Sequence, residues 1–447
     1  MRIVLPSLVV EVVTEKGPEQ TVDDFEAIDF FRDEAQVADP YPYFDALRGR
    51  CPVQREPHHD VLMVTGYDEA VQIYNDTDTF SSCVSVTGPF PGFPVPLEGD
   101  DVSELIERHR DELPMSDQLP TLDPPAHTDH RALLMRLITP KRLKENEASM
   151  WHLADGMLEE FLAPGHGEFI GGFAGPFTLL VIADLLGVPE EDREDFMDTL
   201  QRRPPAGGGV GSTGDDTLHH SPLEYLYGRF TTYIEDRRRE PREDVLTGLA
   251  TATFPDGSVP EVIDVVRVAT NLFAAGQETT VRLLGSALKV LAERPELQRL
   301  LRAERDRVPN FIEETLRAES PVKGDFRLSK VPTTVGGVDI PAGTTLMVLN
   351  SAANRDPRQF EDPAEFEVGR ANVRRHLAFG RGVHTCPGAP LARAEARVTL
   401  ERLLDRTSEI RIAESAHGPA DARRYSYVPT FILRGLTHLE LEWSPAR

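Results

Sequence analysis

From residue 261 to 293 the chain carries Val262, Ile263, Val265, Val266, Val268, Ala269, Leu272 and Phe273, a run that is apolar on more than one face of a helix. At 1.5 Å per residue such a helix is about 50 Å long, enough to cross a whole molecule. A helix apolar on several faces must be enclosed by other elements. Helical patterns at 143–161, 177–186, 222–240, 310–319 and 390–405 supply them. Strand patterns are short, at 61–65, 333–340, 345–350 and 438–443. The expected fold class is therefore mainly α with small β sheets: a large helical domain plus a small sheet-rich lobe.

Composition narrows the function. The 447 residues leave room for two or three domains or one unusually large one. Hydrophobic residues at 40% and charged residues at 27% exclude a disordered, collagenous or coiled-coil chain. The net charge of -26 opposes phosphate backbones and anionic lipid, so neither nucleic acid nor a membrane surface is an expected partner. Cys51, Cys83 and Cys386 are too few and too far apart for a disulfide framework or a C-x-x-C knuckle, which fits a reducing cytosol. Pro6 and Glu11 interrupt the apolar N-terminal patch, so no signal peptide is expected. No apolar run reaches the length of a spanning helix, so no membrane anchor is expected. Two stretches read as irregular loops: 85–99, a candidate lid carrying Phe90 and Phe93, and the Gly-rich 204–214.

The most informative stretch is Phe379-Gly380-Arg381-Gly382-Val383-His384-Thr385-Cys386-Pro387-Gly388, directly before a helix pattern. The glycines let the backbone bend and approach a flat surface, and the helix start offers N–H groups to a thiolate. Zinc needs three further ligands and only His384 is near, which favours a cofactor bringing most of its own coordination, as haem iron does. Pro387 has no N–H and so removes one possible donor to the sulfur, an arrangement expected to leave the thiolate more electron-donating.

The pattern F-G-x-G-x-H-x-C-x-G resembles the haem-binding signature of the cytochrome P-450 family. Its six fixed positions arise by chance in about one chain in a million. The resemblance implies haem b (iron protoporphyrin IX) with Cys386 as its proximal thiolate and metal ligand, Phe379 packed near the sulfur, and Gly388 at the cofactor. In the long helix, Ala274-Ala275-Gly276-Gln277-Glu278-Thr279-Thr280 resembles the oxygen-activation motif A-G-x-(D/E)-T-T. That implies catalytic roles for Thr279, which steadies dioxygen, and Glu278, which relays protons. Both groups exchange protons with water. Family members that use hydrogen peroxide tend to lack this pair, so its presence favours O2 and two electrons.

Glu314-Thr315-Leu316-Arg317 resembles the family's buried E-x-x-R network. Arg370 is its implied third member, although Glu365 stands where many relatives carry Arg. Asp123-Pro124-Pro125-Ala126-His127-Thr128-Asp129-His130-Arg131 resembles a haem-contact motif, so His127, Arg131, Arg327 and His384 are the implied propionate ligands. The implied substrate pocket comprises Asn271, Ala274, Ala275, Val322, Lys323, Thr430 and Phe431, covered by the Phe90–Pro96 loop. Lys323 and Asn271 make it more polar than usual, which points to an apolar, oxygen-bearing substrate of terpenoid or steroid-like type.

Six arginines and one acid, Glu395, stand between Arg370 and Arg397. They suggest a docking face for an acidic ferredoxin. The expectation is a cytoplasmic haem-thiolate monooxygenase, one domain over 1–447 with about 1–40 unassigned. Ferredoxin and ferredoxin reductase would be separate chains. The alternatives are a peroxide-dependent or rearranging haem-thiolate enzyme, and a non-catalytic haem-thiolate ligand-binding or sensor protein.

Overall fold

The computed structural model describes residues 12–13, 27–200 and 221–446. The Gly-rich stretch 204–214 lies outside them. Eight helices position the site: α1 (Tyr67–Asn75), α2 (Ala126–Met135), α3 (Pro140–Leu162), α4 (Gly175–Leu186), α5 (Ser221–Arg239), α6 (Val262–Glu293), α7 (Val308–Glu319) and α8 (Ala389–Arg406). The strands are β1 (Val53–Arg55), β2 (Leu62–Val64), β3 (Phe80–Ser81), β4 (His166–Glu168), β5 (Asp325–Ser329), β6 (Thr333–Val335), β7 (Val338–Ile340), β8 (Thr345–Val348), β9 (Thr407–Ile412) and β10 (Glu440–Pro445).

Helix α6 is the axis of the helical region. Its start is fixed by a capping box, in which the Glu261 side chain takes the Asp264 backbone N–H and the Asp264 side chain takes that of Glu261. It packs against α2, α4, α5, α7 and α8. Val265, Val266, Val268, Ala269, Leu272 and Phe273 are buried before its midpoint, and Val281, Leu283, Leu284, Ala287 and Leu288 after it. Between them, residues 274–279 are not fully buried, because the helix there borders an internal cavity.

The main sheet runs in the order β1-β2-β8-β5-β3. The β2–β8 pairing is parallel, with Leu62 opposite Leu346 and Val64 opposite Val348; the other pairings are antiparallel. A second sheet joins β9, β10 and β4. The segment 333–340, which reads as one strand by pattern, is instead the hairpin β6–β7. Gly336 and Gly337 turn it with φ of +57° and +80°, the left-handed geometry a tight hairpin requires.

Candidate active site

Cys386 sits at the end of a loop whose backbone turns sharply at Gly380 and Gly382, with φ of +63° and +73°. A side chain at Gly382 would also run into the Tyr74 carbonyl of α1. The Cys386 N–H donates to the Phe379 carbonyl at 2.8 Å. Burial pushes the Cys386 thiol up, while backbone N–H groups of Gly388 and Ala389, together with Arg131, pull it down. Any anionic sulfur here is thus stabilised by the start of α8.

Cys386 borders a cavity of about 320 Å³, also lined by Phe379, His384, Gly388 and, from α6, Asn271, Ala275, Gly276, Thr279 and Thr280. The Thr279 hydroxyl donates to the Ala275 carbonyl at 2.9 Å, one turn back along the helix. Glu278 does not line the cavity. Its half-exposed carboxylate pairs with Arg282 at 2.6 Å.

His127, Arg131, Arg327 and His384 are brought together at the edge of the cavity. The rings of His127 and His384 lie 4.1 Å apart. Burial and the neighbouring cations lower their pKa values to about 4 and about 2. Arg131 reaches the Thr385 carbonyl at 2.6 Å, tying α2 to the cysteine loop. Arg327 has one carboxylate close by, Asp325 at 3.3 Å. Both ring nitrogens of His127 are buried and lack a hydrogen-bond partner among the described residues. An orphaned imidazole beside two arginines fits the two propionates of a haem, and the adjacent sulfur fits its iron.

The E-x-x-R helix is part of a buried knot. Arg317 grips Glu314 at 2.7 and 2.8 Å, and Arg370 approaches the same carboxylate at 3.2 Å. The remaining guanidinium donors go to main-chain carbonyls: Arg317 to Asn354, Pro363 and Glu365, and Arg370 to Glu361, Asp362 and Glu365. Position 365 contributes its carbonyl, so Glu in place of Arg leaves the knot intact.

Several expected pocket residues lie elsewhere. Asn271, Ala275 and Val322 line the cavity, but Ala274 packs into the helical core. Lys323 is buried away from the cavity, donating to the carbonyls of Gln36 and Thr430. The Thr430 hydroxyl accepts the Ile432 N–H. Phe431 belongs to an aromatic cluster with Phe31, Phe90 and Phe326. Phe90 and Phe93 pack there too and do not line the cavity, while Ser85 and Val86 border it. Aromatic neighbours thus give the phenylalanines of this loop their apolar contacts.

The basic stretch also resolves differently. Arg374, Arg375 and Arg381 are exposed, but Arg370 is inside the knot and Glu395 is buried beside Thr280. Glu313, unremarked in the sequence, bonds His376 at 3.0 Å and Arg393 at 2.6 Å. The Arg393 guanidinium lies 4.6 Å from the Phe379 ring centroid. Only the proximity of Glu313 to Glu314 could have hinted at this cluster.

Comparison with known proteins decides the family. The family model described as Cytochrome P450 matches residues 253–409. "Cytochrome P450 144" of Mycobacterium tuberculosis (strain CDC 1551 / Oshkosh) is 34% identical over 407 residues, covering 91% of this chain and 89% of that one. The chain belongs to the cytochrome P450 family. A solved structure of Mycobacterium marinum cytochrome P450 CYP150A6, in its substrate-free form, has a TM-score of 0.89 at 57% identity, covering 95% of this chain and all of that one. CYP109E1 from Bacillus megaterium, solved in complex with corticosterone, is 27% identical with a TM-score of 0.74, covering 92% of this chain and 99% of that one. The fold is thus the cytochrome P450 fold, and the protein is a P450 monooxygenase that uses haem b and dioxygen. Among the described residues no helix is long and apolar enough to cross a membrane.

Proposed function

We propose that this cytochrome P450 inserts one oxygen atom of O2 into a small, largely apolar substrate of terpenoid or steroid-like type. Electrons come from a separate ferredoxin and ferredoxin reductase in the cytoplasm, and residues 1–447 act as a single domain. The observation that carries the reading is one cavity bordered by Cys386, by Thr279, by the cations Arg131 and Arg327 and by the imidazoles His127 and His384.

Haem, when bound, supplies an iron centre at which dioxygen is activated. Cys386 would hold that iron, and Phe379 and Gly388 line the same cavity. Arg131 and Arg327 would neutralise the propionates, and the neutral rings of His127 and His384 would each offer them one N–H. The Thr279 hydroxyl, held on the Ala275 carbonyl at the cavity wall, would hold and pass on a proton there. Glu278 collects protons from solvent once its carboxylate leaves Arg282. Leu119, Leu134, Leu272 and Leu283 exclude water and bind the apolar body of the substrate.

The test is the visible spectrum of the purified protein, reduced with dithionite under carbon monoxide. A strongly red-shifted Soret band that disappears in Cys386→Ala is expected; a band that survives the substitution removes the thiolate assignment. Thr279→Ala is expected to consume electrons without matching product, and full coupling in that variant sinks its role.

A further inference from the structure

Three distant parts of the chain meet at the His384 ring, and Asp123 ties two of them together. Its carboxylate accepts the Ser82 N–H at 2.7 Å and the Ser81 hydroxyl, and takes Arg110 at 3.0 Å. Its carbonyl accepts the His127 N–H at 2.9 Å, at the start of α2. The chain leaving β3 is thereby fixed against α2, and the Ser82 hydroxyl comes to rest 3.1 Å from His384 Nε2. Ser82 is only 2% exposed, and among the described residues Nε2 is the one hydrogen-bond partner its hydroxyl has. The other ring nitrogen, Nδ1, has no hydrogen bond to the described residues, although His384 lines the cavity.

A single buried hydroxyl then decides which ring nitrogen carries the hydrogen. The Ser82 O–H, cut off from water, needs an acceptor, and Nε2 can accept only when it bears no hydrogen. A hydrogen on Nε2, alone or together with one on Nδ1, would strand the Ser82 O–H. The arginines around the ring disfavour the doubly protonated form as well. We propose that Ser82 is a positioning residue for the haem: its hydroxyl donates to His384 Nε2, sets the ring tautomer, and so presents Nδ1–H to a propionate. This role rests on the reading above in which His384 serves a propionate. With the tautomer reversed, a lone pair would face the carboxylate in place of a donor. Asp123 acts through the Ser82 backbone, which it grips whatever side chain stands at position 82.

The experiment uses the haem-loaded full chain in its diamagnetic ferrous carbon monoxide form, with histidine labelled for nitrogen NMR. The His384 signals are those lost in His384→Leu. A pyrrole-type nitrogen at Nδ1 and a pyridine-type nitrogen at Nε2 are expected; a hydrogen on Nε2, alone or with Nδ1, overturns the proposal. Transfer of haem to excess apomyoglobin gives the second readout. Ser82→Val and Ser82→Thr match in shape, and only Thr keeps the hydroxyl. Ser82→Val should lose haem about tenfold faster than Ser82→Thr, as one hydrogen bond to a charged group implies. In the His384→Leu background the two should agree within about twofold. Equal rates for Val and Thr beside an intact His384 overturn the role, as does a difference that persists without His384. Absence of the red-shifted carbon monoxide band in the parent protein fails the monooxygenase reading; a normal band with the other tautomer fails the Ser82 role alone.

Discussion

Lys323 and Glu395 are both withdrawn from water, and burial moves their protonation in opposite senses. Lys323 is held well below the usual lysine range by desolvation, with the Arg434 charge adding to it, and its amine donates to two carbonyls. Glu395 is held well above the carboxylate range by desolvation, against the Thr280 hydroxyl. Unfolded lysine stays protonated up to about pH 10.4, so below that pH the unfolded chain binds a proton that folded Lys323 rejects. Stability therefore falls as pH drops from there toward the folded pKa. Unfolded glutamate loses its proton near pH 4.3 while folded Glu395 keeps it, so stability falls as pH rises above that value. Urea unfolding between pH 6 and pH 9 checks both effects. Relative to the parent, Lys323→Met should lose a rising slope of up to about 1.4 kcal/mol per pH unit, and Glu395→Gln a falling slope of similar size. Curves parallel to the parent's would show that neither group takes up or releases a proton on unfolding between pH 6 and pH 9.

Among the elements, α7 carries the most concentrated electrostatic commitment, since Glu314 and Arg317 are both fully buried and share Arg370. Removing the charge from one partner leaves the others uncompensated in a medium that solvates them poorly. Glu314→Gln is expected to cost about 3–5 kcal/mol and to lower haem content on purification. A urea midpoint within error of the parent's would refute it. The elements themselves were largely legible in the chain: α3, α4, α6, α7 and α8 fall within a few residues of their apolar periodicities. Where reading failed, the cause was physical. A buried Lys323 or Glu395 is spelled like an exposed one, because the carbonyls or hydroxyl that accommodate it come from distant parts of the chain. The hairpin β6–β7 was hidden because both of its strands are short and the turn consists of two glycines.

For the molecule as a whole, the net charge of -26 sets a repulsive background for any acidic partner, against which the exposed Arg374, Arg375 and Arg381 stand out beside the cysteine loop. Charge reversal at Arg374 and Arg375 should slow reduction by an acidic ferredoxin about tenfold at low ionic strength. The deficit should narrow as salt shortens the screening length toward about 3 Å at 1 M. Stopped-flow reduction across a salt series measures it, and a deficit independent of salt would point to lost packing instead of lost steering. The cysteine, the threonine and the basic edge were legible because each lies in a local motif. The Ser82–His384 pair was not, since a separation of 302 residues carries no pattern in a single sequence.

The knot around Glu314 gathers the stretch from Asn354 to Arg370 by its carbonyls, whatever side chains hang from Glu361, Asp362, Pro363 and Glu365. Positions gripped by their carbonyls, unlike Asn354 and Asp356 whose side chains are themselves bonded, are free to drift in spelling while the path is kept. The outward side chains of this stretch are therefore where labels, tethers or a fused electron donor can be attached without loosening the core.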